Sequence, residues 1–93
     1  MWIRQTTDED ESCIYEYRKD DIRVVAEYGG WHSVYNKSVW EVRVWSDAVS
    51  FKTTVYLPGC RGDVRRPPDD LGGSLVAVCL SLRTALVPHR GSP

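Results

Sequence analysis

Apolar and polar residues alternate along most of the chain between Cys13 and Leu57. Alternation with a period of two is typical of β-strands that bury one face. Turn-forming dipeptides interrupt the alternation at Lys19-Asp20, Gly29-Gly30, Lys37-Ser38 and Ser46-Asp47. The pattern therefore predicts five antiparallel strands, over about residues 13–18, 22–28, 31–35, 39–45 and 48–57.

Loops of even length keep one parity of residues on one face of the sheet. The predicted core face is apolar apart from Ser33 and Thr53, and it contains Cys13, Tyr15, Tyr17, Ile22, Val24, Ala26, Tyr28, Trp31, Ser33, Tyr35, Trp40, Val42, Val44, Val49, Phe51, Thr53, Val55 and Leu57. The opposite face carries charged residues, namely Glu16, Arg18, Arg23, Glu27, Glu41, Arg43 and Lys52, around a small apolar patch of Ile14, Val25 and Val34. Two-residue loops would place Glu16 opposite Arg23 and Glu41 opposite Lys52, each a favourable cross-strand pair.

One helix follows the predicted sheet. Residues 58–70 are rich in Pro, Gly and Arg and predict a loop. Residues 71–88 predict a C-terminal helix, firmest over 74–87, that packs on the sheet through Leu75, Cys79, Leu82 and Leu86. Residues 1–11 form an acidic tail in which Trp2 and Ile3 could add a short edge strand, and residues 89–93 form a second tail. The predicted fold is a single α+β domain, a five-stranded antiparallel β-meander followed by one C-terminal α-helix packed on its apolar face.

The predicted sheet is wider than one helix. Five strands span roughly 20 Å, whereas a helix with its side chains is about 10 Å across. A second apolar stripe on the helix, formed by Val76, Leu80 and Val87, would supply further cover as a homodimer interface. The alternative is a monomer whose sheet curls tightly around the helix.

Composition narrows the functional classes. The chain has 12 basic and 13 acidic residues and a net charge of −1, which argues against a dominant nucleic-acid footprint. Its longest apolar run, Leu75 to Leu80, is too short to span a membrane, and no signal-peptide core precedes it, so we expect a cytoplasmic protein. Three cysteines without a CxxC spacing predict reduced thiols and neither a metal nor another cofactor.

No motif in the sequence predicts catalysis. The predicted registers place Glu27, His32, Arg43 and Ser50 in one row, but on an open face without a pocket, so we expect no enzyme. The triplet Arg61-Gly62-Asp63 is explained by chance, and Cys60 is expected to be an inert loop thiol.

The remaining candidates are binding residues. Trp45 and Tyr56 lie on the polar parity and, together with Trp2 in the N-terminal tail, are predicted partner-binding anchors. The basic loop residues Arg61, Arg65 and Arg66 and the acidic residues Asp8, Glu9, Asp10 and Glu11 complete the predicted partner-binding set. The sequence thus predicts a small non-enzymatic protein-binding module of inhibitor or adaptor type, such as the phage and plasmid accessory proteins that block host defence complexes. The alternative is a single-stranded nucleic-acid-binding protein that uses the polar face of the sheet.

Overall fold

Five strands of a single antiparallel sheet and one helix make up the part of the chain that the computed structural model describes, residues 1–5, 13–58 and 66–86. The elements are β1 (Ile3–Arg4), β2 (Ile14–Lys19), β3 (Ile22–His32), β4 (Lys37–Trp45), β5 (Ser50–Leu57) and α1 (Asp69–Leu86). Each strand pairs with its neighbour in sequence, so the sheet is a meander in the order β1-β2-β3-β4-β5. The predicted α+β architecture is confirmed.

The five strands differ from the predicted five in one region. Residues 22–28 and 31–35 do not form a hairpin, because β3 continues through Gly29 and Gly30 as far as His32. A register shift lies between Tyr28 and Gly30, and Gly30 has a φ of 117°, which side-chain-bearing residues rarely adopt. The glycine pair is therefore a β-bulge, and the predicted turn at this position is wrong. The two predicted strands are thus one strand, and the fifth strand of the sheet is β1, the short edge strand that the sequence suggested around Trp2 and Ile3.

The bulge changes which side chains are exposed at the end of β3. It keeps Trp31 opposite Ser38, which is only 4% exposed on the core face. The chain then reverses over residues 33–36, where Asn36 adopts a φ of 55°. Ser33 is exposed and Tyr35 is 58% exposed in this turn, so their predicted positions in the core are wrong.

Two hairpins are shifted by two residues from the predicted registers. Lys19 pairs with Ile22 around Asp20 and Asp21, and Trp45 pairs with Ser50 around a four-residue loop. A shift of two residues leaves every side chain on its predicted face, because side chains alternate with a period of two. It does change the opposing partners: Glu16 is opposite Val25 and Glu41 is opposite Thr54, so the predicted pair of Glu41 with Lys52 does not form. The predicted ion pair of Glu16 with Arg23 does form, as a diagonal contact.

The core lies between the sheet and the helix. Its buried members are Trp2, Cys13, Tyr15, Ile22, Val24, Ala26, Trp40, Val42, Val44, Val49, Leu75, Val76 and Cys79. Trp2 is fully buried, donates its indole N–H to the carbonyl oxygen of Pro68 at 2.9 Å and packs on Tyr17 with ring centroids 5.4 Å apart. Trp2, next to β1, is therefore fixed to the segment that leads into α1, and its predicted role as an exposed anchor is wrong.

The helix begins at Asp69 and turns a different face to the sheet from the predicted one. Gly72 lies directly against the ring of Tyr17: a Cβ atom at this position would be only 2.6 Å from Cγ of Tyr17, so no larger residue fits without a shift. This contact turns Val76 into the core at 3% exposure and leaves Leu82 41% exposed. The predicted packing of Leu82 and the predicted exposed position of Val76 are wrong. The side chain of Leu86 lies outside the described part of the chain.

Candidate functional site

The sheet face opposite the helix, the outer face, is organised in rows of directly opposed residues. The acidic row contains Glu27 and Glu41, with Ile14 and Thr54 at its ends. The basic row, next along β4, contains Arg43 and Lys52, with Val25 and Glu16 beyond them. The tryptophan row comes next and contains Trp45 and Ser50, with Arg23 and Arg18 beyond them. Charges of one sign therefore face each other within the acidic and basic rows.

The like-charge pairs of the acidic and basic rows lack counter-charges. Glu27 is directly opposite Glu41 and Arg43 is directly opposite Lys52, arrangements that destabilise an antiparallel sheet. Within the described residues none of these four side chains forms an ion pair; Glu41 only accepts a hydrogen bond from the hydroxyl of Thr54, at 3.3 Å from each carboxylate oxygen. All four are exposed, so a partner could reach them.

Glu16 neutralises two further cations of this face, Arg18 and Arg23. Its carboxylate accepts a hydrogen bond from Nε of Arg18 at 2.7 Å and from Nε of Arg23 at 2.5 Å. Partial desolvation of the carboxylate acts to raise its pKa, but the hydrogen bonds and charges of Arg23 and Arg18 outweigh it, so the pKa of Glu16 lies below its ordinary value. Arg43 and Lys52 are left without an ion pair within the described residues, as is Lys37 at the far end of β4.

Trp45 is the large aromatic residue beside these unpaired charges. It is 36% exposed, and the guanidinium carbon of Arg23 lies 5.4 Å from its ring centroid, within cation–π range. A groove of about 400 Å³ runs beside the ring and is lined by Val25, Glu41, Arg43 and Lys52, among others. The sequence placed Trp45 correctly on the polar parity, and the structure adds the groove and its charges.

Tyr56 belongs to a separate cluster at the other end of the outer face. Its ring lies 5.6 Å from His32 and 5.3 Å from Tyr35, and these two rings stack at 4.4 Å. Tyr56 is opposite Val39, six residues from Trp45 along β4, or about 20 Å. The structure therefore does not bring the two predicted anchors into one site. The sequence analysis missed Tyr35, and the only signal was the glycine pair, which suits a bulge as well as a turn.

The other predicted site residues do not join the groove. Arg66 is exposed, and its charge acts on the core residue Tyr15. Burial and a hydrogen bond with Cys13 raise the pKa of Tyr15 above its ordinary value, although the charges of Arg4 and Arg66 act to lower it. Leu80 is 45% exposed on the helix, whereas Val76 is buried. The predicted residues Asp8, Glu9, Asp10, Glu11, Arg61, Arg65 and Val87 lie outside the described residues, as do Cys60, Gly62 and Asp63.

The row expected to contain Glu27, His32, Arg43 and Ser50 does not form. Glu27 pairs with Glu41, His32 with Lys37, Arg43 with Lys52 and Ser50 with Trp45, so the four residues occupy four different rows. In residues 1–5, 13–58 and 66–86 no three His, Cys, Asp or Glu side chains are grouped to hold a metal ion. Over the same ranges no helix is long and apolar enough to cross a membrane.

Comparisons of the chain with protein-family models, with curated proteins and with solved structures gave no match.

Proposed function

We propose that the protein is a non-enzymatic protein-binding module of inhibitor or adaptor type, and that the outer face of its sheet is the binding surface. Two pairs of opposed like charges carry the proposal, Glu27 with Glu41 and Arg43 with Lys52, neither of which has a counter-ion in the described structure. Such an arrangement weakens the isolated sheet, and a partner that supplies complementary charges would remove the repulsion.

Trp45 supplies the apolar contact that such a surface needs. Tryptophan is enriched among the few residues that dominate binding energy at protein interfaces, and charged groups around it favour correct partners over wrong ones. Trp45 is the exposed tryptophan of the described outer face, and Glu41 of the acidic row and Arg43 of the basic row precede it along the same strand, β4. We propose a cytoplasmic location as well, which is supported by the free thiols of Cys13 and Cys79.

Identification of a partner and measurement of its affinity test the proposal. The partner would be found by co-purification from native cells, made recombinantly and titrated by calorimetry against the wild type, Trp45→Ala and the double variant Arg43→Glu/Lys52→Glu. We expect each variant to weaken binding by at least tenfold, because a hot-spot truncation costs about 2 kcal/mol or more. Val34→Ser, at an 81% exposed turn position, is the control that should bind as the wild type does. Wild-type affinity in both outer-face variants would disprove the proposal.

A second candidate function, binding of single-stranded nucleic acid, is favoured by one observation. The exposed ring of Trp45 lies next to Arg43 and Lys52, and single-strand binders combine stacking aromatics with cations that contact phosphates. A titration of an oligonucleotide at several salt concentrations separates the two functions. Nucleic-acid binding requires that log K falls with log salt by about 0.7 for each phosphate contacted, whereas the protein-binding proposal expects no measurable affinity for the oligonucleotide.

We also propose that the protein forms a homodimer through the exposed flank of α1. Val78 and Leu82 are 46% and 41% exposed and lie one helical turn apart on this flank, whereas Leu80, 45% exposed, is two residues from each and lies on the other side of the helix. Phe51, Val55 and Leu57 of β5 are only partly buried, which agrees with a helix too narrow to cover the sheet. Light scattering of the wild type should give twice the chain mass of 10.6 kDa, and Val78→Glu/Leu82→Glu should give a monomer. A wild-type monomer at tens of micromolar would contradict the dimer.

A further inference from the structure

The outer-face side chains of β4 follow one another at a fixed interval. Glu41, Arg43 and Trp45 are two residues apart, which corresponds to about 6.8 Å along an extended strand. Glu27 doubles the charge of Glu41, and Lys52 doubles the charge of Arg43, because each lies directly opposite in the neighbouring strand. The face therefore presents a negative, a positive and an aromatic position in line and at equal spacing.

An extended peptide has the same interval between side chains that point to one side. A segment lying along β4 would place alternate side chains over the three positions without any change of spacing. Charge complementarity then fixes their order: apolar over Trp45, acidic over Arg43 and Lys52, and basic over Glu27 and Glu41. Val25 and Ile14, both half-buried, line the groove beside this path.

We propose that the outer face binds an extended segment of a partner protein in which an apolar, an acidic and a basic residue occur in this order at every second position. This inference rests on the proposed protein-binding function and names the chemistry of the bound segment. Because the two ends of the line differ, the face distinguishes this order from one in which the charges are exchanged.

The charge distribution favours a protein segment over a nucleic acid. Glu16 already binds Arg18 and Arg23, so Arg43 and Lys52 are the cations next to Trp45 that remain without an ion pair within the described residues. Tight nucleic-acid binding commonly involves several phosphate contacts, and a phosphate chain running along β4 would reach Glu27 and Glu41 one step beyond Arg43. A segment with alternating charges meets no such repulsion.

Three synthetic peptides test the inference against the purified protein. The matched peptide carries leucine, glutamate and lysine at alternate positions separated by serines. The exchanged peptide has the glutamate and lysine swapped, and the compressed peptide has the three residues adjacent. Dissociation constants are measured by fluorescence anisotropy of labelled peptides. We expect the matched peptide to bind about tenfold more tightly than either control, since exchange converts two favourable charge contacts into two unfavourable ones.

A charge-exchanged protein provides the matched control. The variant Glu27→Lys/Glu41→Lys/Arg43→Glu/Lys52→Glu keeps the net charge and the opposed like-charge pairs, so its fold, checked by circular dichroism, should be retained. We expect it to prefer the exchanged peptide by a similar factor. Equal affinity of the wild type for the three peptides, or an unchanged preference in the variant, would overturn the inference. A labelled single-stranded oligonucleotide that binds more tightly than the matched peptide would overturn it too.

The outcome is separable from that of the broader proposal. If Trp45→Ala abolishes binding of the purified partner while the peptides show no preference, the inference fails and the protein-binding function stands. If the outer-face variants bind the partner normally, both fail.

Discussion

Alanine substitutions at two adjacent glycines of α1, Gly72 and Gly73, should change the stability of the protein in opposite directions. Gly72 and Gly73 lie in the same turn of the helix, so replacement by alanine should favour the helix at each position by a similar amount, up to about 1 kcal/mol. Their surroundings differ. A Cβ on Gly73 would meet nothing within 4 Å, whereas a Cβ on Gly72 would lie 2.6 Å from both Cγ and Cε2 of Tyr17.

The size of the effect follows from these distances. Cγ is at the base of the Tyr17 ring, so the side chain cannot give way by moving its tip alone, and the ring also packs on Trp2. Forcing an extra methyl group into a packed site costs about 1–3 kcal/mol, which outweighs the gain in helix propensity. Gly72→Ala should therefore lower the free energy of unfolding by about 1–2 kcal/mol, and Gly73→Ala should raise it by up to about 1 kcal/mol.

Urea and thermal unfolding followed by circular dichroism measure both changes. For a domain of this size, 1 kcal/mol corresponds to a shift in Tm of about 4–8 °C, so the two variants should move to opposite sides of the wild type. In a Tyr17→Ala background the overlap is gone, and Gly72→Ala should then stabilise as Gly73→Ala does. If Gly72→Ala raises the Tm of the otherwise wild-type protein, the helix does not rest on Tyr17 and the assignment of its buried face is refuted.

Three further predictions concern the core and the outer face. Trp2→Ala should lower the free energy of unfolding by about 3–5 kcal/mol in urea denaturation, since Trp2 is fully buried; a change below 1 kcal/mol would show that the N-terminal strand does not contribute to the core. Ser38→Ala should lower the free energy of unfolding by about 1–3 kcal/mol, because the buried indole N–H of Trp40 donates to the Ser38 hydroxyl at 3.1 Å. The control Ser50→Ala, at an exposed position, should lower it by less than about 0.5 kcal/mol, as is usual for surface substitutions. Because the pKa of Glu16 is lower in the folded than in the unfolded chain, the stability it contributes is complete above its ordinary pKa of 4.5 and is lost as the pH falls through the lower folded value. The stability of Glu16→Gln should accordingly fall less than that of the wild type over this acidic range, and parallel pH profiles would exclude the ion pairs of Glu16 as their cause.

The alternation of residue types was sufficient to assign most strand residues to a face. The two hairpins around Asp20 and Ser46 differ from the predicted registers by two residues, and a two-residue shift conserves parity. Trp45 was therefore recognised as an outer-face residue, and Val42 and Val44 as core residues, although their opposing partners were not all known. The existence of one C-terminal helix was predictable for the same reason, because its apolar residues repeat with a helical period.

Tertiary packing decided the features that local patterns leave open. A Gly-Gly pair satisfies a hairpin turn and a β-bulge equally well, and pairing of Trp31 with Ser38 selects the bulge. The helix is apolar on more than one side, so its rotation was set by the approach of Gly72 to Tyr17, which turned Val76 inward and Leu82 outward. The opposed charges of the candidate site also depend on exact register, since only that register places Arg43 beside Lys52 and Glu27 beside Glu41. Sequence periodicity determines which face a residue occupies, whereas contacts between distant segments determine which residues meet there.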